Sequence, residues 1–145
     1  MRALLSLQSA ILCAVLAVIA PGVAAQERLP QAMSGKWSGV SRPGQAGQTP
    51  FGGTWSIVID KQNPDGTIAG KATWAGARAC TMDNEPFTGK FDGTELTIIA
   101  QFRDKFPNAG CGKSRLVLKK TEGGKGFEGT IPASRDQYRL TLAPS

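Results

Sequence analysis

Apolar and polar residues alternate along most of this chain after residue 25. Trp55, Ile57 and Ile59, for example, share one face of a predicted strand, with Ser56 and Asp60 on the other face. Because successive side chains of a β-strand point to opposite faces, this period of two predicts half-buried strands. The same alternation recurs at residues 67–74, 87–92, 96–103, 115–119, 127–131 and 138–142. With a first strand around residues 36–41, the pattern predicts eight strands and no helix longer than about two turns.

Turn-forming sequences separate the predicted strands. Residues 63–66 (Asn-Pro-Asp-Gly), 92–93 (Asp-Gly), 107–110 (Pro-Asn-Ala-Gly) and 122–124 (Glu-Gly-Gly) supply the positive-φ positions that tight hairpins need. Short strands joined by hairpins form an antiparallel meander, and closing the sheet on itself removes its edges. Gly70, Gly89 and Gly129 lie within strands, where they fit the bends of a strongly curved sheet. We therefore predict an all-β, eight-stranded up-and-down barrel, with a two-sheet sandwich as the alternative.

Two longer connections interrupt this meander. Residues 42–53, rich in Gly, Pro and Gln, join the first strand to the second, and residues 75–86 contain Cys80. If successive strands run in opposite directions and none is miscounted, we expect these two loops at opposite ends of the barrel. No internal repeat, low-complexity tract or second domain is visible, so residues 26–145 are predicted to form a single domain.

The first 25 residues have the features of a secretory signal peptide. Arg2 precedes a largely apolar run over residues 3–20, and Val23-Ala24-Ala25 supplies small residues for cleavage before Gln26. An uncleaved membrane anchor is the alternative, because the apolar run is nearly long enough to span a bilayer. The polar residues within the run argue against an anchor. We expect cleavage, a periplasmic or secreted location, and no integral membrane segment in the mature protein.

Two cysteines, Cys80 and Cys111, remain once Cys13 leaves with the signal peptide. An even pair in an exported chain predicts a disulfide. Closing a loop of this length stabilises a fold by roughly 3–4 kcal/mol in the chain-entropy model. The alternative is a pair of thiolate metal ligands, but the histidine or Cys-x-x-Cys partners of a zinc site are missing. No metal site is predicted.

The predicted mature chain is moderately basic. Without Arg2 it has 16 Lys and Arg against 11 Asp and Glu, a net charge of +5. No nucleic-acid partner is expected from this excess, whereas an anionic envelope component or an acidic protein is an expected kind of partner. The candidate basic binding face consists of Arg103, Lys113, Arg115 and Lys119. A solvated edge, whose lysines discourage strand addition, is the alternative reading of these residues.

Residues 34–39, Ser-Gly-Lys-Trp-Ser-Gly, are similar to the Gly-x-Trp opening of the calycins, the family of lipocalin- and avidin-like barrels. The resemblance implies an eight-stranded barrel with Trp37 packed into one end. In lipocalins an arginine of the last strand lies across this tryptophan. Arg139 is at the matching place in the order of elements, although alternation puts it on the face opposite Tyr138 and Leu140. The polar residues that hold biotin in avidins have no counterpart here, so the resemblance concerns the fold, which does not specify function.

The residue sets of most catalytic and metal sites are missing. The sequence contains no histidine, which removes Ser-His-Asp and Cys-His arrangements and the usual zinc and haem ligands. Ser114 follows Lys113, but neighbours in a strand point to opposite faces and cannot easily pair. The acidic residues fall in predicted turns or on outward faces, and residues 60–66 lack the spacing of a calcium loop. We therefore expect neither an enzyme nor a bound cofactor.

Aromatic side chains fall on the inward positions of the predicted strands. They either fill the core of a narrow barrel or line a cavity for an apolar ligand, and the shortness of the strands favours a filled core. The candidate core or ligand-lining residues are Trp37, Trp55, Trp74, Phe91, Phe102 and Tyr138. We expect an exported, non-catalytic barrel that binds a macromolecular envelope or protein partner, in the manner of small disulfide-linked inhibitors. The alternative is a carrier of a small apolar ligand in the barrel interior.

Overall fold

The computed structural model describes residues 26–40, 50–76, 79–131 and 137–145, and all regular elements in these ranges are β-strands. The strands are β1 (Ala32–Val40), β2 (Pro50–Gln62), β3 (Thr67–Gly76), β4 (Cys80–Phe91), β5 (Glu95–Gln101), β6 (Arg103–Asp104), β7 (Lys113–Lys120), β8 (Phe127–Thr130) and β9 (Gln137–Pro144). The predicted signal peptide, residues 1–25, lies outside the described residues. No helix in these ranges is long and apolar enough to cross a membrane.

All strand pairings are antiparallel, and the sheet is closed. Leaving aside the two-residue β6, each strand pairs with the next one in the chain, from β1 to β9. β6 lies beside the start of β4, where Thr81 is opposite Arg103. β9 pairs back onto β1, with Leu140 opposite Trp37, and this pairing completes the cylinder. The predicted eight-stranded up-and-down barrel is confirmed, and the sandwich alternative is wrong.

The two long connections are shorter than predicted. β2 begins at Pro50 and β3 continues to Gly76, while β4 begins at Cys80, so much of residues 75–86 is strand. The expectation that these connections lie at opposite ends is also wrong. Because β1 and β3 are both antiparallel to β2, their carboxyl ends lie at the same end of the barrel.

A β-bulge explains why the beginning of β4 does not alternate in the sequence. Ala72 is opposite Glu85 and Trp74 is opposite Met82, so β4 has one residue more than β3 over this stretch. Within the bulge Asn84 has a φ of 55°, in the left-handed region. The extra residue shifts the inward positions of β4 by one.

Inward-facing side chains fill the interior of the barrel. The buried members of the candidate aromatic set are Trp37, Trp55, Trp74, Phe91 and Phe102. Tyr138 is half-buried and packs against this cluster. No polar or charged residue is buried among the described residues. The aromatic rings therefore form one packed core together with the aliphatic side chains of the wall, as expected for eight strands.

Two tryptophans connect strands that are not neighbours. Trp37 of β1 donates its Nε1–H to the main-chain oxygen of Ala75 on β3 at 2.8 Å. Trp55 of β2 donates its Nε1–H to the main-chain oxygen of Thr141 on β9, also at 2.8 Å. Each indole crosses an intervening strand at the glycine paired with the tryptophan. These glycines are Gly53, opposite Trp37, and Gly35, opposite Trp55.

Candidate binding site at the open end

The two ends of the barrel differ in their connections. One end has tight turns between β2 and β3, between β4 and β5, and between β7 and β8. The other end, called the open end below, has the connections that follow β1, β3, β5 and β8. The disulfide between Cys80 and Cys111 lies here, with the two Cα atoms 5.7 Å apart, which confirms the predicted pairing. The longer connections between strands therefore lie at the same end of the barrel.

Residues 104–111, called the Phe106 loop, form a constrained segment at the open end. The disulfide fixes its last residue to β4. The Asp104 carboxylate accepts a hydrogen bond from the N–H of Cys111 at 2.7 Å, and the N–H of Lys105 donates to the oxygen of Ala79 at 2.7 Å. Near the tip of this loop, the side chain of Phe106 is 62% exposed. The loop therefore presents an aromatic ring to solvent from a backbone fixed at several points.

A pocket of about 630 Å³, called the mouth pocket, lies beside this loop. The rings of Trp74, Phe102 and Tyr138 contribute to its lining, together with Ile131 and the disulfide. Its volume is within the range of about 300–1,000 Å³ that is typical of small-molecule sites. Trp74 and Phe102 are in edge contact, with centroids 5.2 Å apart, so the pocket borders the packed core.

The described ladder between β7 and β8 is short beside the mouth pocket. The ladder between β7 and β8 begins where Val117 is opposite Thr130. In the described part of the chain, the first half of β7 therefore has a strand neighbour only on the β5 side, where Lys113 is opposite Gln101. Lys113, Ser114 and Arg115 line the pocket at this position.

Three of the four candidate basic residues share the outer face of β7. Lys119 lies between two carboxylates, because Glu95 of β5 and Glu128 of β8 are both opposite it. Lys113 and Arg115 are exposed and lie opposite uncharged residues of β5. Neither of these two side chains forms an ion pair or a hydrogen bond within the described residues. Of these three cations, Lys113 and Arg115 line the mouth pocket and have no carboxylate opposite them.

Arg103, the fourth candidate, is held by a carboxylate. Its guanidinium pairs with Glu85 through two hydrogen bonds, one of them from an Nη to Oε2 at 3.0 Å. The pair lies where the ladder beside β4 is interrupted, between Phe87 opposite Ala100 and Thr81 opposite Arg103. The hydrogen bond from Arg103 holds the pKa of Glu85 below its usual value, and the same bond raises the pKa of Arg103. Arg103 thus bridges an interruption in the barrel wall.

Other carboxylates stabilise hairpin turns. Asp92 accepts hydrogen bonds from the N–H groups of Thr94 and Glu95 at 2.9 and 2.7 Å, and these bonds lower its pKa. Asp65 accepts from the hydroxyl and the N–H of Thr67 at 2.7 and 3.0 Å, with the same effect on its pKa. Within the described residues, no three His, Cys, Asp or Glu side chains are grouped so that they could hold a metal ion.

Arg139 lies on the outer face of β9, as its position in the alternation predicts. The packing of a last-strand arginine across Trp37, which the calycin resemblance implies, is therefore not present. Trp37 is instead surrounded by aromatic rings: it stacks on Trp74 at 4.7 Å and lies 6.0 Å from both Phe51 and Tyr138. The Gly-x-Trp tryptophan thus packs under the open end through ring contacts and its hydrogen bond to Ala75.

Sequence reasoning missed two features of the open end, Phe106 and the mouth pocket. Phe106 lies four residues after the inward-facing Phe102, which alternation would place on the same face. The charged Asp104 between them and the turn at residues 107–110 are the available signals that the ring is not part of the core. The pocket is lined by residues that are distant in the sequence, from Trp74 to Tyr138, so no local pattern indicates it.

We compared the chain with protein-family models, curated proteins and solved structures. No family model, no curated protein and no solved structure matches it.

Proposed function

We propose that this protein is an exported, non-catalytic barrel of calycin-like type that binds a macromolecular partner through its open end. The disulfide is compatible with an oxidising compartment outside the cytoplasm. The barrel interior is occupied by the packed core, so a large partner has to bind at the outer surface. The carboxylates with lowered pKa are engaged in turns or with Arg103, which supports binding rather than acid–base chemistry.

One observation carries this proposal: the Phe106 loop holds an exposed aromatic ring on a preorganised backbone. Exposed aromatic residues are frequent anchors of protein interfaces. A loop fixed before binding loses less conformational entropy on association than a mobile one. Because the disulfide and the Asp104 carboxylate already fix the ends of the loop, Phe106 is presented in a defined position.

The charge at the open end favours an anionic partner. Lys113 and Arg115 are exposed and have no carboxylate opposite them on β5. An acidic protein or an anionic envelope polymer that covers these side chains would form the ion pairs that this chain does not. Such pairs are screened by salt, so binding is expected to weaken as ionic strength rises.

The test uses the mature protein as bait against an envelope extract at low salt. A component that is retained by the wild type should be lost with Phe106→Ala and reduced with a Lys113→Ala/Arg115→Ala double variant. Val58→Ala is the matched control, because Val58 is the other exposed large hydrophobic side chain among the described residues and lies on the β2 wall. Failure of the wild type to retain any component, or equal retention by Phe106→Ala, contradicts the proposal.

A second candidate function, a carrier of a small apolar ligand, is favoured by the mouth pocket. The site differs from the one expected from the sequence, since the pocket lies at the open end and the interior is filled. Its aromatic lining includes Trp74, so ligand entry is expected to change tryptophan fluorescence. Titration with fatty acids, retinoids and haem tests this candidate, and an unchanged emission spectrum with all three would remove it.

A further inference from the structure

We propose that the mouth pocket binds an amphipathic anion, an apolar chain that ends in a carboxylate or a phosphate. This inference rests on the second candidate function and specifies its ligand. The apolar part would occupy the space lined by Trp74, Phe102, Tyr138 and the disulfide. The anionic group would lie at the rim, beside Lys113 and Arg115.

The pocket has an apolar floor. Trp74 and Phe102 are 2% and 6% exposed, so only small parts of their rings reach the surface that a ligand would touch. Ile131 and the disulfide extend this floor. A linear or planar apolar group placed here would bury its surface against rings that are already fixed, and that burial is favourable in proportion to its area.

The rim supplies positive charge in a position that an acid-bearing ligand can use. Lys113 and Arg115 both line the pocket, and neither forms an ion pair with a described carboxylate. Lys119, two positions beyond Val117 on the same face, is instead opposite Glu95 and Glu128 and is absent from the lining. Of the three cations on this face of β7, the two at the pocket are the two without a carboxylate neighbour.

The pocket lining brings apolar and cationic residues together. A ligand whose tail contacts Phe102 can have its charged end beside Arg115, because both residues line the pocket. An uncharged ligand with the same tail would gain the apolar contacts alone.

The experiment compares three ligands with one tail and different ends: dodecanoate, dodecyl phosphate and dodecanol. Tryptophan fluorescence of the mature protein reports binding. We expect both anions to bind at least about tenfold more tightly than dodecanol, because hydrogen bonds between charged groups are stronger than those of a neutral hydroxyl. The Lys113→Ala/Arg115→Ala variant should lose this preference, and Lys119→Ala, the matched control, should keep it.

A blocking variant tests the position of the tail. Gly112 lines the pocket, and a Cβ added there meets no atom within 4 Å, so Gly112→Leu extends into free space. It should abolish binding of all three ligands while the far-ultraviolet circular dichroism spectrum stays unchanged. If this variant fails to fold, the charge variant still decides the proposal.

The outcomes separate this inference from the function on which it rests. Equal affinity for dodecanol and the two anions overturns the anionic ligand and leaves the carrier function standing. No binding of any of the three ligands overturns the amphipathic anion, and the titrations with retinoids and haem then decide the carrier function. Co-sedimentation with vesicles of phosphatidylethanolamine and phosphatidylglycerol then distinguishes the source of the ligand: vesicle binding that Gly112→Leu abolishes assigns a membrane lipid, and its absence assigns a free anion.

Discussion

Trp55 and Thr141 are hydrogen-bonded across a third strand, and the bond passes the glycine of the Gly-x-Trp sequence. The indole Nε1 of Trp55 lies 2.8 Å from the main-chain oxygen of Thr141, with Gly35 on the strand between them. A Cβ at Gly35 would lie 1.8 Å from that same oxygen. The glycine is therefore required by the carbonyl that accepts the bond, and the contact joins β2 to β9 across β1.

Gly35→Ala is expected to destabilise the barrel by about 2–4 kcal/mol, because the methyl group displaces the Thr141 carbonyl and weakens the bond from Trp55. Urea unfolding followed by circular dichroism measures the loss. Gly112→Ala is the matched control, since its Cβ meets no atom within 4 Å, and it should change stability by less than about 0.5 kcal/mol. Similar unfolding midpoints for the two variants would contradict this role of Gly35.

Trp37→Phe is expected to cost about 1–3 kcal/mol of unfolding free energy. Phenylalanine keeps most of the apolar burial but leaves the Ala75 oxygen without its donor, and it removes part of the stack on Trp74. Val58→Ala, at an exposed wall position, should stay within about 0.5 kcal/mol of the wild type. A Trp37→Phe protein as stable as Val58→Ala would show that the indole bond contributes nothing.

The disulfide is expected to contribute about 3–4 kcal/mol, because it closes a loop of 31 residues in the unfolded chain. A Cys80→Ser/Cys111→Ser double variant removes it without leaving a free thiol. Thermal unfolding of this variant should start at a lower temperature, and adding a reductant should shift the wild type in the same direction. If the reductant leaves the wild-type transition unchanged while the variant melts early, the substituted side chains and not the crosslink are responsible.

Acid is expected to destabilise the fold through its turn carboxylates. The N–H groups of Thr94 and Glu95 lower the pKa of Asp92 in the folded state. A lowered pKa stabilises the fold fully above the unfolded value of about 3.9, and this contribution is lost as the pH falls through the lower folded value. Asp65 and Glu85 act with the same sign.

Asp92→Asn should therefore show a shallower loss of unfolding free energy than the wild type below about pH 4. Urea unfolding at several pH values measures the slope. An unchanged slope in Asp92→Asn would place the acid sensitivity elsewhere.

Alternation along the chain was sufficient to predict the architecture. It predicts that Trp55, Trp74 and Phe91 are inside and that alternate residues of β7 face solvent. Every strand of a closed barrel has one apolar face and one solvent-exposed face. The turns can be predicted in the same way, since Asp-Gly and Glu-Gly-Gly sequences supply the positive-φ residues that tight hairpins need. The fold class and the disulfide follow from local rules of this kind.

The candidate site follows from relationships that the sequence does not express locally. The bulge at Asn84 shifts the alternation of β4, so alternation alone predicts a loop over the first part of this strand. Arg103 was grouped with Lys113 and Arg115, but its position beside Glu85 depends on that same bulge and on the interruption of the ladder between β4 and β5. The mouth pocket is lined by residues that are distant in the sequence, from Trp74 to Tyr138. These features depend on the register and the ends of the strands, which are set by pairing between segments that are distant in the sequence.

The joining of β9 to β1 has a consequence for folding kinetics. The hydrogen bonds between Lys36 and Thr141 connect residues 105 positions apart, whereas the hairpins of the meander form between near neighbours in sequence. Folding slows as contacts become more distant along the chain, because the entropy of ordering the intervening residues is lost before the contact forms. Hairpin formation in microseconds is therefore expected to precede a much slower final step, in which the last strand docks.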